Sequence, residues 1–138
     1  MLKELIESGF GKNMNLCCSE KMLYAANWAY NLQLPPQALK MSSGFGGGMG
    51  MGFVCGGITG GIMVLSALYV KRNNHESTRI KELEKEYIDK FNAALGAVNC
   101  ADLKVKHPPV SPKRACNLDF ILITAAGILD EIVEREGL

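Results

Sequence analysis

The chain has almost no net charge: its 138 residues carry 15 Lys and Arg against 14 Asp and Glu. Proteins that grip a phosphate backbone display clustered positive charge, so this balance argues against nucleic acid as a partner. Histidine is scarce. His75 and His107 stand far apart, each beside loop or charged residues and outside any zinc-type spacing, and both read as solvated surface groups. Also missing is a Cys-x-x-Cys pair, the usual mark of structural zinc, dithiol and iron–sulfur sites. No segment alternates with the two-residue period of a strand. The opening residues Met1 to Ser8 mix acids into apolar positions, so no secretory signal is expected and the expected location is the cytoplasm.

What is present is hydrophobic residues, glycine and cysteine. At 48% hydrophobic, a chain of this length can bury a core without disulfides, and residues 1–138 read as one domain. Five cysteines in a reducing compartment point to metal, redox work or burial more than to structural disulfides.

Helical periodicity runs through most of the chain. Asn15 can cap a helix from about Leu16 to Gln33, with Met22, Leu23, Ala26, Trp28, Ala29 and Leu32 at helical spacing. Pro35 and Pro36 end it and open a short helix near Gln37 to Ser42. A further helix is expected from Cys55 or Gly56 to about Val70. Asn74 or Ser77 caps the next, which carries an apolar stripe of Ile80, Leu83, Tyr87, Ile88, Phe91, Ala94 and Leu95 and closes at Gly96. A short turn begins at Cys100, residues 104–113 form a proline-bearing connection, and a last helix spans roughly Cys116 to Glu136. That helix buries Leu118, Ile121, Leu122, Ala125, Ile128, Leu129, Ile132 and Val133. The expected fold is all-α, a single-domain bundle of about four main helices with a glycine-rich loop.

Phe53 to Val70 is 18 residues without a charge, at the lower limit for a membrane span. Its glycines at 56, 57, 60 and 61 lower its hydrophobicity and suit close helix packing. A buried central helix is the reading adopted, with no membrane partner.

Cys18, Cys55, Cys100 and Cys116 each fall where a helix is expected to begin, where unpaired N–H groups and the helix dipole favour a thiolate. Cys55 follows a run with six glycines between Gly44 and Gly52. Such a backbone can turn its N–H groups inward on a thiolate, a cluster sulfide or a small anion. It carries no Gly-x-Gly-x-x-Gly and no Gly-Lys-Ser/Thr, and no strand precedes it, so a nucleotide loop is excluded. Met49, Met51, Phe45 and Phe53 within and around the run argue against a solvated tether. The charged stretch Lys81 to Glu86 reads as a solvated helix face, and Trp28 as core or rim.

Cys18-Ser-Glu, the run from Ser43 to Gly50, Cys55-Gly-Gly-Ile-Thr-Gly60, Asn99-Cys100 and Cys116 together resemble the redox-active family known by its motif, C_GCAxxG_C_C. The likeness runs from about Asn15 to the last helix. It implies a small, helical, cytoplasmic bacterial or archaeal protein with a redox role; a similar module accompanies haem in split-Soret cytochromes, beside an iron–sulfur centre. This chain has no Cys-x-x-Cys-His for covalent haem. It departs from the label at Val54 and at Gly57, where alanine is implied. Cys18 is chosen over Cys17 because Ser19-Glu20 follow it, leaving Cys17 a bystander.

On this reading Cys18, Cys55, Cys100 and Cys116 converge to bind a [2Fe–2S] cluster for electron transfer, with Gly46, Gly47, Gly48 and Gly56 as expected N–H donors. The first alternative is a thiol–disulfide oxidoreductase using the same cysteines without metal. The second is a helical interaction module whose cysteines are merely buried. The expected partners are a redox protein or a small thiol or electron carrier, and a homodimer is compatible with the reading.

Overall fold

The computed structural model describes residues 1–114 and 116–138. Among them run seven α-helices: α1 (Leu2–Glu7), α2 (Cys18–Ala29), α3 (Pro36–Lys40), α4 (Gly56–Tyr69), α5 (Thr78–Leu95), α6 (Cys100–Lys106) and α7 (Leu118–Glu136). The fold class is all-α as expected, with the four long helices α2, α4, α5 and α7 and the short α3 that Pro35 and Pro36 announce, but α1 and α6 are two short helices beyond those expected. No helix among the described residues is long and apolar enough to cross a membrane.

The α5 and α7 stripes fall where periodicity puts them. Ile80, Leu83, Tyr87, Phe91 and Leu95 of α5 are buried against Ile121, Leu122, Leu129, Ile132 and Val133 of α7 and Ile58, Val64 and Leu65 of α4. Burying each such side chain contributes roughly 1.5–3 kcal/mol, so this interior dominates the stability. Ala94 lies outside the stripe and is exposed, and Ile88 is half-buried. Ser77 caps α5, its Oγ accepting from Ile80 N–H at 3.1 Å, and Gly96 ends it at a left-handed φ of 83°.

Helix α2 is shorter than expected at both ends. Cys17, not Asn15, is its N-cap; Asn15 sits at φ 54°, in the left-handed region. At the other end Asn31 and Gln33 also take positive φ, and Asn27 Oδ1 accepts from Leu34 N–H at 2.9 Å, turning the chain toward Pro35 before another helical turn can form. Trp28 is 76% exposed, on the face opposite the buried Met22, Ala26 and Tyr30.

Helices α2 and α4 share the most extensive contact in the molecule. Glycine allows it: a Cβ at Gly60 would come within 2.8 Å of Ser19 O and 3.0 Å of Met22 Cβ. At Gly61 the space is filled by the buried Tyr87 ring, whose hydroxyl donates to Gly57 O at 2.6 Å.

Candidate thiol redox site

Backbone hydrogen bonds, not side-chain packing, gather the cysteine-bearing segments. Val54 pairs with Asn99 in a single antiparallel bridge, flanked by Cys55 N–H to Val98 O at 2.9 Å and Cys100 N–H to Phe53 O at 2.7 Å. This stitch sets Cys55 beside Cys100 although they are far apart in sequence. At the far end of α6, Asn117 N–H donates to His107 O at 2.8 Å and draws the Cys116 segment back along that helix. Ser19, fully buried at the start of α2, donates through Oγ to Ser42 O at 2.7 Å and so fastens the glycine segment to the same place.

The glycine segment is an ordered structure rather than a tether. A 3-10 turn over Ser43–Phe45 leads into a wide turn at Gly48–Gly52, with Gly47, Gly48, Met49, Gly50 and Gly52 all at positive φ. Gly48 is the position where only hydrogen fits, since a Cβ there would run into the Phe53 backbone. The apolar residues of the turn do not pack inward: Met49, Met51 and Phe53 are exposed.

Cys18 is the first residue of α2, and its sulfur receives N–H groups from its own helix start (Ser19), from the α4 start (Gly56) and from the glycine turn (Gly47). The thiol of Cys55, the N-cap of α4, also points to it. That last contact is the strongest influence on Cys18; together the donors outweigh the cost of burial and bring its pKa down from 9.0 to about 6. The consequence for Cys55 is the reverse. Donating a hydrogen bond to the Cys18 sulfur, and then burial, push its own pKa far up, even though its Sγ accepts from Gly57 N–H at 3.3 Å. The two sulfurs thus titrate as one unit in which the Cys18 thiolate is favoured. Gly56 has no room for a side chain, because a Cβ would strike Cys18 Sγ and come within 2.8 Å of Ser19 N.

Next to this pair opens a cavity of about 130 Å³, lined by Cys17, Cys18, Cys100 and Cys116 with Gly47, Arg114 and Leu118. Cys100 begins α6 and is held above its ordinary pKa by burial, as is Cys116. Two expectations change here. Cys116 is not a helix-start residue, since α7 begins at Leu118 with Asn117 as its cap. Cys17 is no bystander: it caps α2, its N–H donates to Glu20 Oε1 at 3.1 Å, its Sγ lies 3.3 Å from Ser19 Oγ, and it lines the cavity that Cys55 does not line. The missed signal is Cys17-x-x-Glu20, which has the spacing of a capping box with cysteine in place of serine.

Of the expected glycine donors, Gly47 and Gly56 give N–H groups to Cys18, Gly46 packs against Cys17, and Gly48 supports the turn. Arg114 was missed because nothing in its neighbourhood marks it. His107 is not solvated: its ring is half-buried, Nε2 donates to Leu95 O at 2.8 Å, and it leans on Phe120 at 5.4 Å. His75 is exposed as expected.

A family model described as putative redox-active protein (C_GCAxxG_C_C) matches residues 16–132. The chain belongs to this family. Neither curated proteins nor solved structures give a match. The matched stretch holds all five cysteines and the glycine turn. The Gly57 departure is mild, because a Cβ there would press only on the flexible end of Leu122, at 3.2 Å, and make ordinary contacts with Cys55 Sγ at 3.5 Å and Phe91 Cε2 at 3.6 Å.

The donor set around the cavity, four thiols and backbone N–H groups, is chemically of the kind that holds an iron–sulfur cluster. As the side chains stand, no group of three or more His, Cys, Asp or Glu among the described residues is disposed around a single metal-ion position.

Proposed function

We propose that this redox-active family member works as a thiol–disulfide couple, with Cys18 as the attacking thiolate and Cys55 as the resolving thiol. The observation that carries this reading is the meeting of the two cysteines at the starts of α2 and α4, an environment that favours the Cys18 thiolate. The steps balance. The Cys18 thiolate attacks one sulfur of a disulfide substrate, forming a mixed disulfide and expelling the other half as a thiolate that takes up a proton. Cys55 then loses its proton and attacks Cys18 Sγ, releasing the second half as thiol and leaving a Cys18–Cys55 disulfide. Two electrons pass from the dithiol to the substrate, and a redox partner protein or small thiol carrier in the cytoplasm restores the dithiol by the reverse exchange.

A second reading, the [2Fe–2S] cluster, is favoured by one observation: a cavity walled by sulfur on several sides, more than a dithiol requires. Cys18, Cys100 and Cys116, with Cys55 or Cys17 as the fourth, would hold it, and the cluster would supply one-electron transfer. N–H donors such as Gly47 would favour its more negative, reduced state.

Anaerobic purification followed by iron, acid-labile sulfide and thiol counts separates the two. Iron-free protein that loses two thiols reversibly on mild oxidation is expected. Stoichiometric iron and sulfide with a visible chromophore would replace the couple by the cluster.

A further inference from the structure

A second cavity, of about 210 Å³, adjoins the first and shares Arg114, Cys116 and Leu118 with it. Its polar lining is dominated by cations: Lys12, Lys21, Lys113 and Arg114 face one carboxylate, Asp119. Lys21 is 4% exposed and holds Asp119 Oδ1 at 3.2 Å, so that pair neutralises itself. Lys12, Lys113 and Arg114 remain. All three are exposed and make no ion pair among the described residues. Arg114 is nevertheless positioned: Nη1 donates to Leu16 O at 3.1 Å, which holds the guanidinium beside the start of α2 with its remaining N–H groups available to an oxyanion. In a chain close to neutral overall, three unmatched cations line one cavity, which Arg114 and Cys116 join to the thiol cavity.

We propose that this basic cavity is an anion subsite, which seats the carboxylate or other oxyanion group of a small disulfide substrate while its sulfur reaches the neighbouring thiol cavity. That the ligand carries a disulfide rests on the thiol couple proposed above; that it carries negative charge rests on the cavity alone.

The test compares two disulfide probes in stopped flow: dianionic 5,5′-dithiobis(2-nitrobenzoate) and neutral 2,2′-dithiodipyridine. Lys12→Gln combined with Lys113→Gln, two residues that line the basic cavity and not the thiol cavity, is expected to slow the anionic probe about tenfold and leave the neutral one unchanged. Raising salt from about 0.01 M to about 1 M, which shortens the screening length from ~30 Å to ~3 Å, should erase the same preference in the wild-type chain. Equal slowing of both probes, or of neither, would overturn the subsite. A wild-type chain inert to both would remove the couple instead. In that event the subsite is read from backbone NMR shifts on adding 2-nitrobenzoate: changes gathered at Lys12, Lys113, Arg114 and Asp119 support it, and their absence ends it.

Discussion

The α5–α7 side of the molecule and the sulfur end of α2 and α4 are ordered by different means. Between α5 and α7 the order comes from side chains. Tyr87, Phe91, Leu122 and Leu129 are buried without residue, and outside them runs a ladder of ion pairs in which Arg135 and Lys90 both hold Glu86 and Arg79 holds Glu136. At the sulfur end the order comes from the backbone, through Gly56 and Gly60 letting two helices touch and N–H groups converging on Cys18. The first region fills space; the second keeps it clear. A filled interior tolerates exchange of similar volumes, whereas an approach made through missing side chains tolerates no added methyl.

Adding one methyl in each region sharpens the contrast. Gly61→Ala drives a Cβ into the Tyr87 ring and is expected to cost about 3 kcal/mol in urea unfolding, because that ring is fully buried and cannot yield. Gly56→Ala should cost about 2 kcal/mol and also displace Cys18 Sγ, so fast alkylation of Cys18 at neutral pH disappears with it. A variant that keeps wild-type alkylation would break the claim that this glycine positions the sulfur.

Cys55→Ala removes the strongest donor to Cys18, and the Cys18 pKa should rise from about 6 by at least ~1 unit, followed by thiolate absorbance against pH. The sign for stability follows. A pKa lowered on folding stabilises above the unfolded value of 9.0, and that contribution is lost as pH falls through about 6. The unfolding free energy of wild-type protein should therefore decline from pH 9 toward pH 6 relative to Cys18→Ser.

The ion ladder should matter less. Glu86 is pulled from 4.5 to about 2, first by the Arg135 guanidinium and then by Lys90, so what it contributes is present above pH 4.5 and lost as pH falls through about 2. Glu86→Gln should flatten only that acid limb, by a small amount, since the pair faces water. Smallest of all is Gly57→Ala, whose Cβ would press on the end of Leu122 and touch Cys55 Sγ and Phe91 at ordinary contact distance, and which should change stability by less than about 1 kcal/mol.

The sequence disclosed the helices whose apolar residues recur at helical spacing, and with them α5 and α7 almost residue for residue, because one face of each is buried along its length. It disclosed the site in part. Cys18, Cys55 and Cys100 stand at helix starts, where local chemistry can be read from neighbouring residues. What was hidden depends on contacts remote in the chain. The pairing of residues 53–55 with 98–100, which joins Cys55 to Cys100, has no sequence pattern because only one bridge forms. Cys17 was passed over because Ser19-Glu20 favoured Cys18 as the first site cysteine, and Arg114 since its role comes from meeting Leu16 O across the fold.

The central claim is that Cys18 and Cys55 are one redox couple. Peptide mapping by mass spectrometry after mild oxidation, with remaining thiols alkylated, tests it most directly. The expected result is a single peptide pair joined through Cys18 and Cys55, with Cys17, Cys100 and Cys116 alkylated and full reversal by a dithiol. Oxidised protein in which Cys18 and Cys55 are both still alkylated would contradict it.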